Sequence, residues 1–298
     1  MCSRMFNVLL YSDLLFTLTQ RYKEMQELLI KLKRVVEPIL YGRREEIVKE
    51  RLDKPHSDNE EHYRKPMVFL DQLLNMKRGD EDLSMEEIES HIYTIIAAGS
   101  ETSANQVAYI LLLLAMHPDV QDRVFEEIHS IYGDSSLNIT YETISAQNYL
   151  EQVIKEAMRL FPVAPIIGRE TIESVQLGDV VVPPGITLLM NIFTLQRNKE
   201  LWGERADVFD PDRFDPSTYD ARNHHPFSYI PFGGGPRNCI GYRYGMFSMK
   251  IMITQVLKRY VLSTPLSVND CLKLSFAVTL KTGVGHQICI KRRSNISQ

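Results

Sequence analysis

Apolar residues recur at helical spacing through much of the chain. Leu28, Leu32, Val35 and Val36 form one stripe and Phe69, Leu70, Leu73 and Leu74 another, predicting helices with polar joints over the first eighty residues. Between them, residues 49–65 are dense in charge and lie near Pro55 and Pro66, which reads as an exposed loop or flexible segment. Ser84 and Glu87 form a capping-box signature, and an apolar pattern then persists until Pro118 stops it. A helix over 85–116 would be about 48 Å long. It is apolar nearly all round after Val107, so it should run through the core. Its middle, Ala98, Gly99, Ser100, Glu101, Thr102 and Ser103, places a glycine and a carboxylate in an otherwise apolar element.

Pro118 and Asp119 open a further helix with Val120, Val124 and Ile128 on one face, ending at Gly133. A third carries Leu150, Val153, Ile154, Ala157, Met158 and Phe161 and is closed by Pro162. Short strands follow: 175–177 and 180–182 flank Gly178 and Asp179, and Pro183, Pro184 and Gly185 lead into 186–190. A coil-rich stretch over 191–232 precedes a last helix over 242–260 and strands around 274–280 and 286–290. The fold class is mainly α with small β-sheets (α+β), with no internal repeat and no domain linker after Ser84.

Composition narrows the function classes. The 298 residues are 44% hydrophobic and 24% charged, and the net charge is −4 with Lys and Arg spread among acids. No basic footprint for nucleic acid exists. Cys2, Cys239, Cys271 and Cys289 form no C-x-x-C pair, which excludes a disulfide framework and a clustered zinc site. Cys2, Cys271 and Cys289 read as reduced, small apolar residues. The longest apolar run, 107–116, falls short of the roughly 20 residues that cross a bilayer.

The densest chemistry lies in Phe232, Gly233, Gly234, Gly235, Pro236, Arg237, Asn238, Cys239, Ile240 and Gly241. Glycines let backbone approach a cofactor closely, Arg237 can pair with a carboxylate, and a thiolate ligand needs backbone N–H groups near its sulfur. A P-loop needs G-x-x-x-x-G-K-[ST] and a dinucleotide fingerprint G-x-G-x-x-G after a strand; both fail here. The ten-residue pattern resembles the signature of the cytochrome P450 superfamily, with Cys239 in the position of the iron ligand.

Other landmarks of that family follow in order. Glu156, Ala157, Met158 and Arg159 resemble its E-x-x-R helix, and Pro211, Asp212, Arg213 and Phe214 its Pro-x-Arg-Phe segment. The resemblance implies a buried ion network of Glu156, Arg159 and Arg213, which would specify geometry more than add stability. The segment from Ala98 to Thr102 resembles the oxygen-binding groove of the family's distal helix. Glu101 and Thr102 then match an acid–alcohol pair in a local helix distortion, and Ala98 shares a face with Thr102. Arg169 stands where the family places a second propionate-binding arginine. Substrate contacts would come from Tyr93, Ile96 and Ala97, then Val163, Ala164, Ile166 and Ile167, with the turn near 276–280 also a candidate. These residues are mostly apolar, which suits a lipophilic substrate.

The wording of the Cys loop and of residues 5–20 looks most like the animal microsomal fatty-acid-hydroxylase branch and its insect relatives. Ala98 replaces a glutamate found in that branch, so haem b is expected to be held non-covalently apart from the Cys239 thiolate bond. Gln196 and Arg197 stand where His-Arg is common, and Ser248 where Glu is common. The implied activity is insertion of one oxygen atom of O2 into a lipophilic small molecule, with electrons from NADPH-cytochrome P450 reductase. Lys250, Lys258 and Arg259 offer a basic face for that partner. The family is implied to act at the endoplasmic reticulum membrane, although this chain shows no anchor of its own. Residues 1–298 are expected to form one cytochrome P450 domain, the C-terminal portion of the fold, truncated before the anchor, the N-terminal sheet lobe and the early helices. Two alternatives stay open: a truncated fragment that does not hold haem productively, and a haem-thiolate isomerase or dehydratase that needs no proton delivery to O2.

Overall fold

The computed structural model describes residues 7, 10, 12–53, 68–133, 138–217, 225–267, 270, 273–276 and 278–293. Chain contacts divide it into two compact units, residues 1–98 and 99–298.

In the first unit, α1 (Asp13–Thr17) leads into α2 (Gln20–Asp53), followed by α3 (Phe69–Asn75) and a small hairpin of β1 (Lys77–Arg78) and β2 (Glu81–Asp82). The predicted α2 stripe points differently from expectation. Leu28 and Val35 are 64% and 65% exposed, whereas Val36 is 5% exposed and Leu40 and Ile47 are also buried. Spacing alone marks several apolar faces on this helix; the packing partner selects one. That partner is a cluster of Leu40, Leu73 and Ile88 with Leu70, Leu74, Leu83 and Ile92 around it. Arg43 Nε clamps Asp71 at 2.7 Å, joining α2 to α3. Residues 49–53 of the expected loop are still helical, and 54–67 lie outside the described residues.

Helix α4 (Met85–Met116) runs from the first unit into the second. Its start is the predicted capping box: Ser84 N–H donates to Glu87 Oε2 at 3.0 Å and Glu87 N–H to Ser84 Oγ at 3.2 Å. The helix is α-helical throughout, so no distortion interrupts it at Ala98–Thr102. Beyond Val107 it is buried almost continuously, as its all-round apolar sequence requires.

The second unit packs that apolar end with α5 (Pro118–Tyr132), α7 (Asn148–Leu160) and α10 (Tyr242–Arg259) around one core; α6 (Tyr141–Ser145) precedes α7. Pro118 opens α5 and Gly133, at φ +58°, closes it. Helix α7 has no cap from its own Gln147; Glu127 of α5 instead takes the amides of Tyr149 (2.7 Å) and Leu150 (2.9 Å). Strand β3 (Ile166–Glu170) pairs antiparallel with β6 (Thr187–Asn191), and between them β4 (Val175–Leu177) and β5 (Val180–Val182) form the hairpin expected around Gly178.

The stretch expected to be coil carries α8 (Ile192–Leu195), α9 (Lys199–Trp202) and a 3₁₀ turn over Pro211–Phe214. After α10, β7 (Tyr260–Ser263) pairs with β10 (Cys289–Arg292), and β8 (Leu274–Phe276) with β9 (Leu280–Thr282), so the expected strand at 274–280 is a hairpin.

Candidate functional site: the cysteine loop and its supports

Every part of the cysteine loop follows from a backbone constraint. Gly233 N–H donates to Ile230 O at 2.9 Å and closes the first turn. Gly233 and Gly235 both adopt φ +74°, which L side chains resist. A 3₁₀ turn over Gly235–Arg237 brings Asn238 N–H to Gly235 O, and Cys239 N–H then donates to Phe232 O at 2.8 Å. Cys239 is left exposed, just ahead of Gly241, the residue that caps α10. A Cβ on Gly241 would sit 3.9 Å from Cys239 Sγ, in van der Waals contact with the sulfur. Eighteen residues of α10 follow, and the N-terminal end of such a helix favours negative charge.

Beside this loop, Arg169 Nη2 reaches Arg237 O at 3.4 Å, which brings a half-buried and an exposed arginine together. Phe232 is half-buried, with its ring centroid 6.2 Å from that of Tyr242.

Beneath it lies an ion network. Glu156 and Arg159 are both fully buried. Arg159 donates from Nε to Glu156 Oε2 at 2.7 Å and from Nη2 to Oε1 at 2.8 Å. Its Nη1 reaches Gln196 O (2.8 Å) and Ala206 O (2.6 Å), and Nη2 also reaches Val208 O at 3.3 Å. Asp210 N–H donates to Glu156 Oε1 at 2.9 Å, and Arg213 Nε makes an ion contact to the same oxygen at 3.5 Å. Arg213 further holds the carbonyls of Trp202 and Arg205. Burial pushes the Glu156 carboxyl up from its ordinary range, and the Arg159 guanidinium opposes that shift. One buried arginine thus satisfies three carbonyls of a segment that has little regular structure to do so.

On α4, Ala98, Glu101 and Thr102 are all exposed. Ala98 belongs to the first unit, as do half-buried Tyr93 and exposed Ile96 and Ala97. The Glu101 carboxylate turns to the C-terminal hairpin: Oε1 accepts from Thr279 Oγ1 at 2.9 Å and meets Lys281 Nζ at 3.0 Å. Asn105 donates to Thr279 at 3.3 Å from the next turn of the helix. The contacts from Lys281 and Thr279 hold the Glu101 carboxyl below the usual carboxylate range.

A folded-state value below the unfolded one makes this contact stabilising above the unfolded pKa. That contribution is lost as pH falls through the folded value. Glu101 is 51% exposed, so solvent screening limits the effect to about 0.2–1 kcal/mol. Lys281→Met should raise the Glu101 titration midpoint toward the ordinary range in a carboxyl carbon NMR titration. An unchanged midpoint would show that the ion pair does not form in solution.

Of the other candidate positions, Val163 is buried, Ala164 and Ile167 are half-buried and Ile166 is exposed. Leu280 N–H donates to Val163 O at 2.9 Å, tying the hairpin to this segment. The basic face expected on α10 is not there. Lys250 is 3% and Lys258 7% exposed; Lys250 pairs with Glu151 at 2.8 Å, and Lys258 Nζ lies over the Tyr132 ring. Both cations are spent inside the protein, and of the three only Arg259 is exposed.

The cytochrome P450 family profile matches residues 1–290. The chain belongs to the cytochrome P450 family. It is 36% identical over 244 residues to a probable cytochrome P450 313a1 of Drosophila melanogaster, covering 81% of this chain and 48% of that protein. To cytochrome P450 4d1 of Drosophila melanogaster it is 33% identical over 260 residues, covering 86% and 50%. A crystal structure of a cytochrome P450 (CYP102L1) superposes with a TM-score of 0.69 at 27% identity, covering 88% of this chain and 57% of that one. A cyanobacterial CYP120A1 with retinoic acid bound gives 0.68 at 26% identity. The chain spans about half the length of the curated relatives it matches.

The mainly α fold with small sheets matches the cytochrome P450 fold over 57% of each of those two chains. The family's cofactor is haem b held through a cysteine thiolate. The residues present fit that group: an exposed thiol with a glycine beside it and two adjacent arginines able to meet carboxylates. Among the described residues no helix is long and apolar enough to cross a membrane, and no cluster of three or more His, Cys, Asp or Glu could hold a metal ion.

Sequence reasoning passed over three supports. Thr279 and Lys281 engage Glu101 from some 180 positions away, with no local signal. Gln196, which in the sequence stands only as a departure from His, is fully buried and makes three side-chain hydrogen bonds.

Proposed function

We propose that this protein works as a haem-thiolate monooxygenase that inserts one oxygen atom of O2 into a lipophilic small molecule. The observation that carries this is the exposed Cys239, presented on a glycine-rich loop just ahead of the N-terminal end of α10, which suits a thiolate ligand. Cys239 would ligate the iron, Arg237 and Arg169 would pair with the propionates, and Phe232, Gly235 and Gly241 would line the macrocycle. Haem bound through a thiolate supplies O2 binding and electron release toward the oxygen. NADPH-cytochrome P450 reductase would supply the electrons, at the endoplasmic reticulum membrane.

The chain's own residues would manage protons and substrate. Thr279 and Lys281 engage Glu101 Oε1 and favour its ionised form, and Glu101 and Thr102 would together serve as the acid–alcohol pair that moves protons. Val163, Ala164, Ile166 and Ile167 would offer apolar contacts to the substrate. Glu156, Arg159 and Arg213 act from below by holding the 196–210 segment in place.

Thr102→Ala in the haem-loaded protein tests the proton route. O2 consumption should continue while product formation falls about 10²-fold, the lower range for general acid–base groups. A product yield independent of O2 and of Thr102 would identify an isomerase or dehydratase instead.

A further inference from the structure

The geometry points to Gln196 as the positioning residue that sets the cysteine loop against the end of helix α7, an inference that rests on the haem-thiolate reading above. Gln196 follows α8 and is fully buried. Its Nε2 donates to Met158 O at 3.0 Å and Arg159 O at 3.1 Å. These are two of the last carbonyls of α7, which have no partner within their own helix. Its Oε1 accepts from Ile230 N–H at 3.1 Å. Ile230 is the residue whose carbonyl takes Gly233 N–H, and two residues later Phe232 O takes Cys239 N–H. One side-chain amide therefore joins the E-x-x-R helix to the first residue of the turn that carries the thiol.

The chemistry of the three contacts selects an amide. Two carbonyls face one end of the side chain and an N–H faces the other, so a single orientation of the amide satisfies all three. A carboxylate would set an acceptor against two acceptors. A neutral imidazole carries one donor and one acceptor and could recover two of the three bonds. Methionine has similar length and none of them. Arg159 also donates to the Gln196 carbonyl at 2.8 Å, so main chain and side chain of this residue are both anchored to α7.

The test uses the full 298-residue chain in two forms. Without haem, amide exchange is followed by mass spectrometry in wild type, Gln196→Met and Gln196→His. We expect exchange over 228–241 to rise about tenfold in Gln196→Met, the scale of one net hydrogen bond, with α5 and α10 unchanged. Gln196→His should recover most of that protection. With haem, reduction and carbon monoxide should give Gln196→Met a mixture of thiolate-type and neutral-ligand bands while the wild type shows the thiolate band alone. Acceleration spread equally over the loop, α5 and α10 would reduce Gln196 to a general stability residue and overturn the inference. So would unchanged exchange in the loop. If wild type shows no thiolate band but the loop-specific exchange change is seen, the monooxygenase reading fails and the positioning role stands.

Discussion

Cys239→Ser is expected to abolish the long-wavelength Soret band of the reduced, carbon monoxide-bound protein completely. Serine keeps the size of the side chain and the loop's Cys239 N–H to Phe232 O bond, since that bond is made by backbone. What it removes is a soft anionic ligand, because the hydroxyl stays neutral at the pH at which a bound thiolate is deprotonated. The residue is exposed and the substitution touches no core contact, so folding stability should move by no more than about 0.5 kcal/mol. Cys289 is the internal control: it too is a free, exposed thiol, but it lies on β10, and Cys289→Ser should leave the spectrum unchanged. Cys2 and Cys271 lie outside the described residues. A thiolate band that survives in Cys239→Ser would transfer the ligand role to another cysteine. Absence of haem uptake in the wild type would favour the reading of a fragment that does not hold haem.

Glu156→Ala should have the largest effect on stability, a loss of about 3–5 kcal/mol, because it strands a buried guanidinium. Both side chains of the pair are fully buried. Removal of the carboxylate deprives Arg159 of two hydrogen bonds, leaves Asp210 N–H without its acceptor and removes the ion contact of Arg213. Water has no ready access to replace them. Set against the 5–15 kcal/mol of a typical domain, such a loss leaves little margin. Arg159 also holds the carbonyls of Gln196, Ala206 and Val208, so the 196–210 segment should loosen first. Urea unfolding at neutral pH measures the loss, and amide exchange over 196–210 locates it. A loss below about 1 kcal/mol would mean that the pair is solvated in solution and the network does not hold this segment.

The two large predictions differ in how their residues are found. Cys239 stands within a ten-residue pattern whose glycines and arginine are adjacent in sequence, so local spacing is enough to single it out. Its support is long-range. Gln196 and Ile230 are 34 positions apart, Arg159 and Ala206 47, and Glu101 and Thr279 178, and no periodicity relates such pairs.

By itself the sequence determined the helices with strong local rules behind them. The Ser84 and Glu87 cap, Pro118 at the start of α5, Gly133 at its end and the hairpin around Gly178 all stand where backbone sterics and capping place them. It also marked the burial of α4 beyond Val107, because a helix apolar on every side has no face to give to water. Tertiary structure alone decided which face of α2 is buried, since Leu28, Val35 and Val36 are equally apolar and only the cluster around Leu40, Leu73 and Ile88 distinguishes them. It decided that Lys250 and Lys258 turn inward, where Glu151 and the Tyr132 ring receive them. It decided, too, that Glu101 answers to Lys281. Charge and polarity are properties of a residue, but exposure and partnership belong to the packing of distant segments, and those distances are closed only by the fold.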